Sequence, residues 1–141
     1  MPQETQLTDW KQRASVTLQA TIHHVQGIDV EGTTLWVSSV DTKEHKGYLS
    51  RFDLRSGKLL SQVQVHEGRR IHPGGLALQG NFVWVPVAEY HRGGPTTIQK
   101  RDKTTLILLS SFNVDDHIGC LAAADGYLIG GNWNSRMFYR W

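Results

Sequence analysis

Apolar and polar residues alternate in short runs along this chain, and turns, several of them bearing glycine, separate the runs. The first run is Ala14 to Ile22, with Val16, Leu18, Ala20 and Ile22 on one side. A period of two over such a length predicts a half-buried β-strand. The same reading predicts strands at residues 27–30, 34–40, 48–54 and 59–65, then at 75–78, 82–87, 97–100 and 106–114. It predicts three more at 120–123, 127–131 and 137–141. Arg55-Ser56-Gly57 and Asp102-Lys103-Thr104 read as hairpin turns. No stretch carries the 3.6-residue period of a helix.

The runs repeat. His24, His72 and His117 stand 48 and 45 residues apart, and each precedes a short apolar strand. The residue eleven further on is Leu35, Val83 or Leu128, and the residue seventeen further on is Asp41, Glu89 or Asn134. A period of this length marks a repeat architecture. Four antiparallel strands per repeat make the blade of a β-propeller. The predicted fold class is therefore all-β, with about three blades' worth of strands, or half of a six-bladed ring.

The expected division is a mobile segment at residues 1–13, a closing outer strand at 14–22, and blades at 23–66, 67–115 and 116–141. The third blade lacks its outer strand. Rings take about four to eight blades, so three do not close. A homodimer formed by exchange of the 14–22 strand would close a ring and cover edges that otherwise invite aggregation. The rival reading is the severed half of a longer chain.

Composition narrows the partners. Fifteen Lys and Arg against thirteen Asp and Glu leave a net charge of +2 with no basic block, so no nucleic-acid surface is expected. The single Cys120 excludes an intrachain disulfide. No apolar run reaches the roughly 18 residues that span a bilayer. The N-terminal residues carry no signal-peptide pattern. A cytoplasmic, membrane-free protein is expected.

Strand A of a blade leaves the face to which strand B returns. His24, His72 and His117 are thus expected at one channel mouth, with Asp41, Glu89 and Asn134 beside them. His45, His91 and Arg92 follow on the B–C loops, and Asn132 with Trp133 stands at the same mouth. Neutral imidazoles can hold a divalent metal, so the three histidines are the candidate metal ligands. Asp41, Glu89, Asn132, Asn134, His91 and Arg92 are the candidate ligand-binding residues. Histidine also supplies acid and base near neutral pH. A purely structural role for the three histidines, bonded to neighbouring backbone, weighs equally. Trp36 and Trp84 read as packing between blades, and Cys120, in the place of Gly27 and Gly75, as a small buried residue. No nucleophile elbow, phosphate loop or Cys-x-x-Cys is present, so no catalytic residue is assigned.

The stretches His23-His24-Val25-Gln26-Gly27-Ile28-Asp29-Val30, His72-Pro73-Gly74-Gly75 and Asp116-His117-Ile118-Gly119-Cys120 resemble the six-bladed propellers of the gluconolactonase, strictosidine-synthase-like and NHL-like superfamily. The closest likeness is to an uncharacterised bacterial branch of it. The resemblance covers residues 14–141, about half of a family propeller. It implies a metal, often calcium, at the mouth, with Asp41, Glu89, Asn132 and Asn134 as ligands of matching type. The histidines depart from that pattern, because calcium prefers oxygen. The expected function is a His- and acid-lined mouth that binds a small molecule or metal, with hydrolase-like chemistry left open. The alternative is a non-enzymatic interaction scaffold built from two half-propellers.

Overall fold

The computed structural model describes residues 10–141, so the expected segment 1–13 falls, through residue 9, outside the described residues. Twelve strands form three antiparallel sheets, and no helix is present among the described residues. Blade 1 is β1 (His24–Glu31), β2 (Thr34–Asp41), β3 (Lys46–Asp53) and β4 (Leu59–Gln64), hydrogen-bonded in that order. Blade 2 has an interrupted inner strand, β5 (Arg70–Pro73) and β6 (Ala77–Gln79). Both pieces pair with β7 (Phe82–Glu89), which is followed by β8 (Thr96–Asp102) and β9 (Leu108–Val114). Blade 3 has only β10 (Ile118–Ala124), β11 (Tyr127–Asn132) and β12 (Phe138–Arg140). The chain is half a propeller.

The gap between β5 and β6 has a local cause. Pro73 has no N–H to give to the ladder. The backbone then turns toward blade 3: the Gly75 amide donates to Gly119 O at 2.9 Å, and Leu121 N donates back to Gly75 O at 2.9 Å. Gly75 and Cys120 form an isolated parallel bridge across the seam.

Alternation along each strand sends one set of side chains to the preceding blade and the other to the next. Between blades 1 and 2, Trp36, Leu49 and Val65 meet Leu76, Val83, Val85, Val87 and Leu106. Between blades 2 and 3, Ala77 and Ile98 meet Ile118, Leu121 and Leu128, with Trp84 and Phe112 alongside. Both tryptophans pack between blades.

The strand expected at residues 14–22 does not form within the chain. The segment instead lies beside Leu35 and Leu54 of blade 1, where Ala14, Val16 and Leu18 help to line an apolar cavity of about 420 Å³. Gln19 N donates to Gly57 O at 2.8 Å, and its side-chain Nε2 donates to Ser56 O at 2.8 Å. A strand needs a ladder partner, and among the described residues the open edge of blade 3, β12, belongs to a different sheet from the blade that this segment lies beside. Cys120 is also placed differently from expectation: it is exposed, not buried, because no fourth blade stands against β10. No helix of the described residues is long and apolar enough to cross a membrane.

Candidate functional site

His24 opens β1, His72 lies in β5, and His117 immediately precedes β10. The repeat brings all three to one recess of about 260 Å³, lined also by Gln26, Tyr90, Gly119 and Trp133. The imidazoles of His72 and His117 are 5.7 Å apart, centre to centre. Tyr90 stacks on His72 at 4.6 Å with a 15° tilt, and Trp133 meets His117 edge-on at 4.6 Å. Tyr90 and Trp133 are 5.6 Å apart, so an aromatic wall runs round the recess. Behind Tyr90 and His72 is a second recess of about 260 Å³, lined by Val40, Thr42, His45 and Ile71.

The histidines differ in their partners. His117 is 2 % exposed, and its Nδ1–H donates to the Glu89 carbonyl at 2.9 Å. That bond fixes the neutral tautomer and leaves Nε2 as the acceptor. His24 Nδ1 accepts from Gln26 Nε2 at 3.2 Å. His72 Nδ1 is buried with no hydrogen-bond partner among the described residues. Burial, then the neighbouring His117 and His24, lower the His72 pKa to about 4. Burial lowers His117 as well, against the opposing effect of its bond to Glu89. Both rings are neutral at pH 7.

This predicts a pH dependence. A histidine whose folded pKa lies below its ordinary 6.5 binds fewer protons in the folded chain than in the unfolded one. Stability is therefore full above about pH 6.5 and falls as the pH drops toward 4. With solvent screening discounted, the His72 share is on the order of 1–2 kcal/mol. Asp41, Asp53, Asp102 and Asp116 are all lowered from 3.8, so their loss begins at lower pH. Thermal unfolding from pH 7 to 4.5 should show a fall in Tm that His72→Gln flattens. A flat wild-type profile would contradict this.

The acidic and amide candidates stay outside the recess. Asp41 accepts from the Lys43 and Glu44 amides at 2.9 and 3.1 Å, and its Oδ2 lies 3.4 Å from His23 Nδ1. Glu89 sits between His91 Nε2 at 3.1 Å and Arg69 at 3.5 Å. Arg92 is exposed in the same loop, and its carbonyl faces His91 Nδ1 at 3.2 Å. Asn132 donates to Asp116 and accepts from the Met137 amide at 3.1 Å, while Asn134 faces the Arg136 amide at 3.4 Å. These oxygens cap their own turns and do not converge as a calcium site requires. Among the described residues, no three His, Cys, Asp or Glu side chains come close enough together to hold a metal ion.

Two lining residues went unmarked in the sequence, Gln26 and Tyr90. At their offsets from the repeat histidines the other repeats carry Gly74 and Gly119, and Thr42 and Ser135, so the repeat gave no signal for either.

The sequence of residues 3–141 matches the profile of DUF6454, a family of unknown function. No curated protein matches the chain. Among solved structures, the glutaminyl cyclase of Myxococcus xanthus is similar with a TM-score of 0.56 at 14 % identity, over 88 % of this chain and 55 % of that one. The computationally designed Ika4 protein is similar over 93 % of this chain and 98 % of its own, with a TM-score of 0.48 and 14 % identity. The designed Ika8 protein covers 89 % of this chain and 48 % of its own, with a TM-score of 0.45 and 14 % identity. The chain thus spans about half the length of two of these three. At this identity the likeness concerns the fold.

Proposed function

We propose that this chain, which belongs to the DUF6454 family, binds a small, uncharged, planar molecule in the recess between His72, His117, Tyr90 and Trp133. The observation that carries this reading is the set of rings around the recess, Tyr90 stacked on His72 and Trp133 edge-on to His117, each at 4.6 Å. Tyr90 and Trp133 offer rings to stack on or abut. No Lys, Arg, Asp or Glu lines the recess, which favours an uncharged guest.

Binding is a better fit than turnover. A histidine with a pKa of about 4 is a weak general base at pH 7. The Glu89 carboxylate is already engaged by His91 and Arg69. The metal reading of His24, His72 and His117 requires the rings to swing together around an ion.

The test is ligand-observed NMR with uracil and nicotinamide as planar probes and cyclohexanol as an aliphatic control. The planar probes should show saturation transfer at millimolar concentration, and Trp133→Ala and His72→Ala should each reduce it at least about fivefold. Unaltered signals in both variants, or none in the wild type, would overturn the proposal and leave the interaction scaffold. Zinc titrated alongside should not bind. Zinc binding that His72→Ala abolishes would move the site to a metal centre.

A further inference from the structure

The two outermost blade faces carry the same repeat positions that form the internal seams. The residue three past each repeat histidine faces the following blade. A Cβ at Gly27 would lie 2.6 Å from Gly75 Cα, and one at Gly75 would lie 3.0 Å from Cys120 Cβ. Cys120 holds the third such position and is exposed. The residue four past each histidine faces the preceding blade. Leu76 and Leu121 are 6 % and 8 % exposed there, whereas Ile28, the first of the series, is 65 % exposed.

The rest of both faces agrees. Val30 stands beside Ile28 and is exposed. On blade 3, register puts Cys120 opposite Gly131, Gly131 opposite Phe138, and Ala124 opposite Tyr127. Tyr127 is exposed, and Phe138 is 66 % exposed. Exposed apolar patches of this kind mark interaction sites.

We infer that a second copy of this chain covers these faces, with Cys120 of blade 3 seated against Gly27 of the partner subunit and the mouth completed by the partner's imidazoles. The contact continues the seam between blades 2 and 3. There residue 75 lies close against residue 120, as residue 27 does against residue 75 at the first seam, and residue 120 would approach Gly27 of the partner subunit in the same way. Glycine at position 27 leaves room for the Cys120 side chain. Two such seams related by a two-fold axis close a six-bladed ring, as isologous dimers do. β12 then presents its open edge to the 14–22 segment of the partner, whose alternating pattern has no ladder partner among the described residues of its own chain.

The inference does not depend on the ligand reading, since its test contains no ligand. Light scattering on the purified chain should give twice the 15.9 kDa chain mass at micromolar concentration. Ile28→Asp and Phe138→Asp should each give the chain mass with an unchanged β-sheet circular dichroism spectrum. Should either variant fail to fold, the wild type alone still decides. Its Cys120 should react with iodoacetamide at least about tenfold faster after dilution into the monomer range than in the dimer. A monomer at high concentration, open-ended oligomers, or a Cys120 rate independent of dilution would each overturn the inference.

Discussion

Gly74→Val is expected to destabilise this protein by more than about 3 kcal/mol. The first atom of any side chain at position 74 would stand 2.3 Å from Gly119 O and 2.9 Å from Gly119 C, with Pro86 Cγ at 3.2 Å. The obstacle is the backbone of the neighbouring blade, so no rotamer change relieves it. Separating the strands far enough would break the bonds from Gly75 to Gly119 and from Leu121 to Gly75. Overpacking against a rigid backbone, with those bonds lost, costs more than about 3 kcal/mol. A domain of this size has only about 5–15 kcal/mol to lose. Gly80→Ala is the control. That residue has φ of 52° but nothing within 4 Å, so its cost is the left-handed backbone alone, about 1–2 kcal/mol. Urea unfolding followed by tryptophan fluorescence distinguishes the two. A Gly74→Val transition within about 1 kcal/mol of wild type would mean that blades 2 and 3 do not meet as described.

Gln99→Leu is expected to cost about 2–4 kcal/mol, and most of that cost should disappear in combination with Arg101→Met. Gln99 is fully buried and serves both blades at the first seam. Its Nε2 donates to Val65 O and Glu67 Oε1, each at 2.8 Å, while its Oε1 accepts from Arg101 Nε at 2.8 Å. Arg101 is 7 % exposed and keeps one further bond, from Nη1 to Leu106 O at 2.8 Å. Burial lowers its pKa despite the Glu67 charge, which marks a cation short of solvation. Removing the Gln99 oxygen leaves that cation half-satisfied in an apolar seam. Removing the cation as well takes away the reason for the penalty. Equal costs for the single and double variants in chemical denaturation would refute this account.

Most of the strands were legible because alternation is a local property. A residue pointing into a seam must be apolar or paired whatever the blade's position, so β2, β7 and β11 stand out from their own residues. The repeat was legible for the same reason, since equivalent positions face equivalent neighbours. That is how His24, His72 and His117 could be assigned to one mouth. The break between β5 and β6 was less legible, because Gly75 turns its amide to a strand more than forty residues away.

The candidate site divides along the same line. That histidines and aromatics gather at one face follows from chain spacing and blade geometry. Which of them are available does not. Asp41, Glu89 and Asn132 spend their oxygens on loop amides and nearby charges only once those loops close, and Tyr90 reaches His72 only across a folded turn. Cys120 shows the same dependence. Its small size suits a seam, but exposure is decided by whether another blade stands beside it.

By itself, then, the sequence determined the all-β class, the three-blade repeat and the face on which the histidines lie, because each follows from periodicity within one or two strands. Only the tertiary structure decided that 14–22 stays off the sheets of its own chain, that His72 Nδ1 is buried without a partner among the described residues, and that the outer faces of blades 1 and 3 stand open. Burial and unpaired hydrogen-bonding groups depend on what packs across the seams, and that contact joins residues with no proximity in the chain.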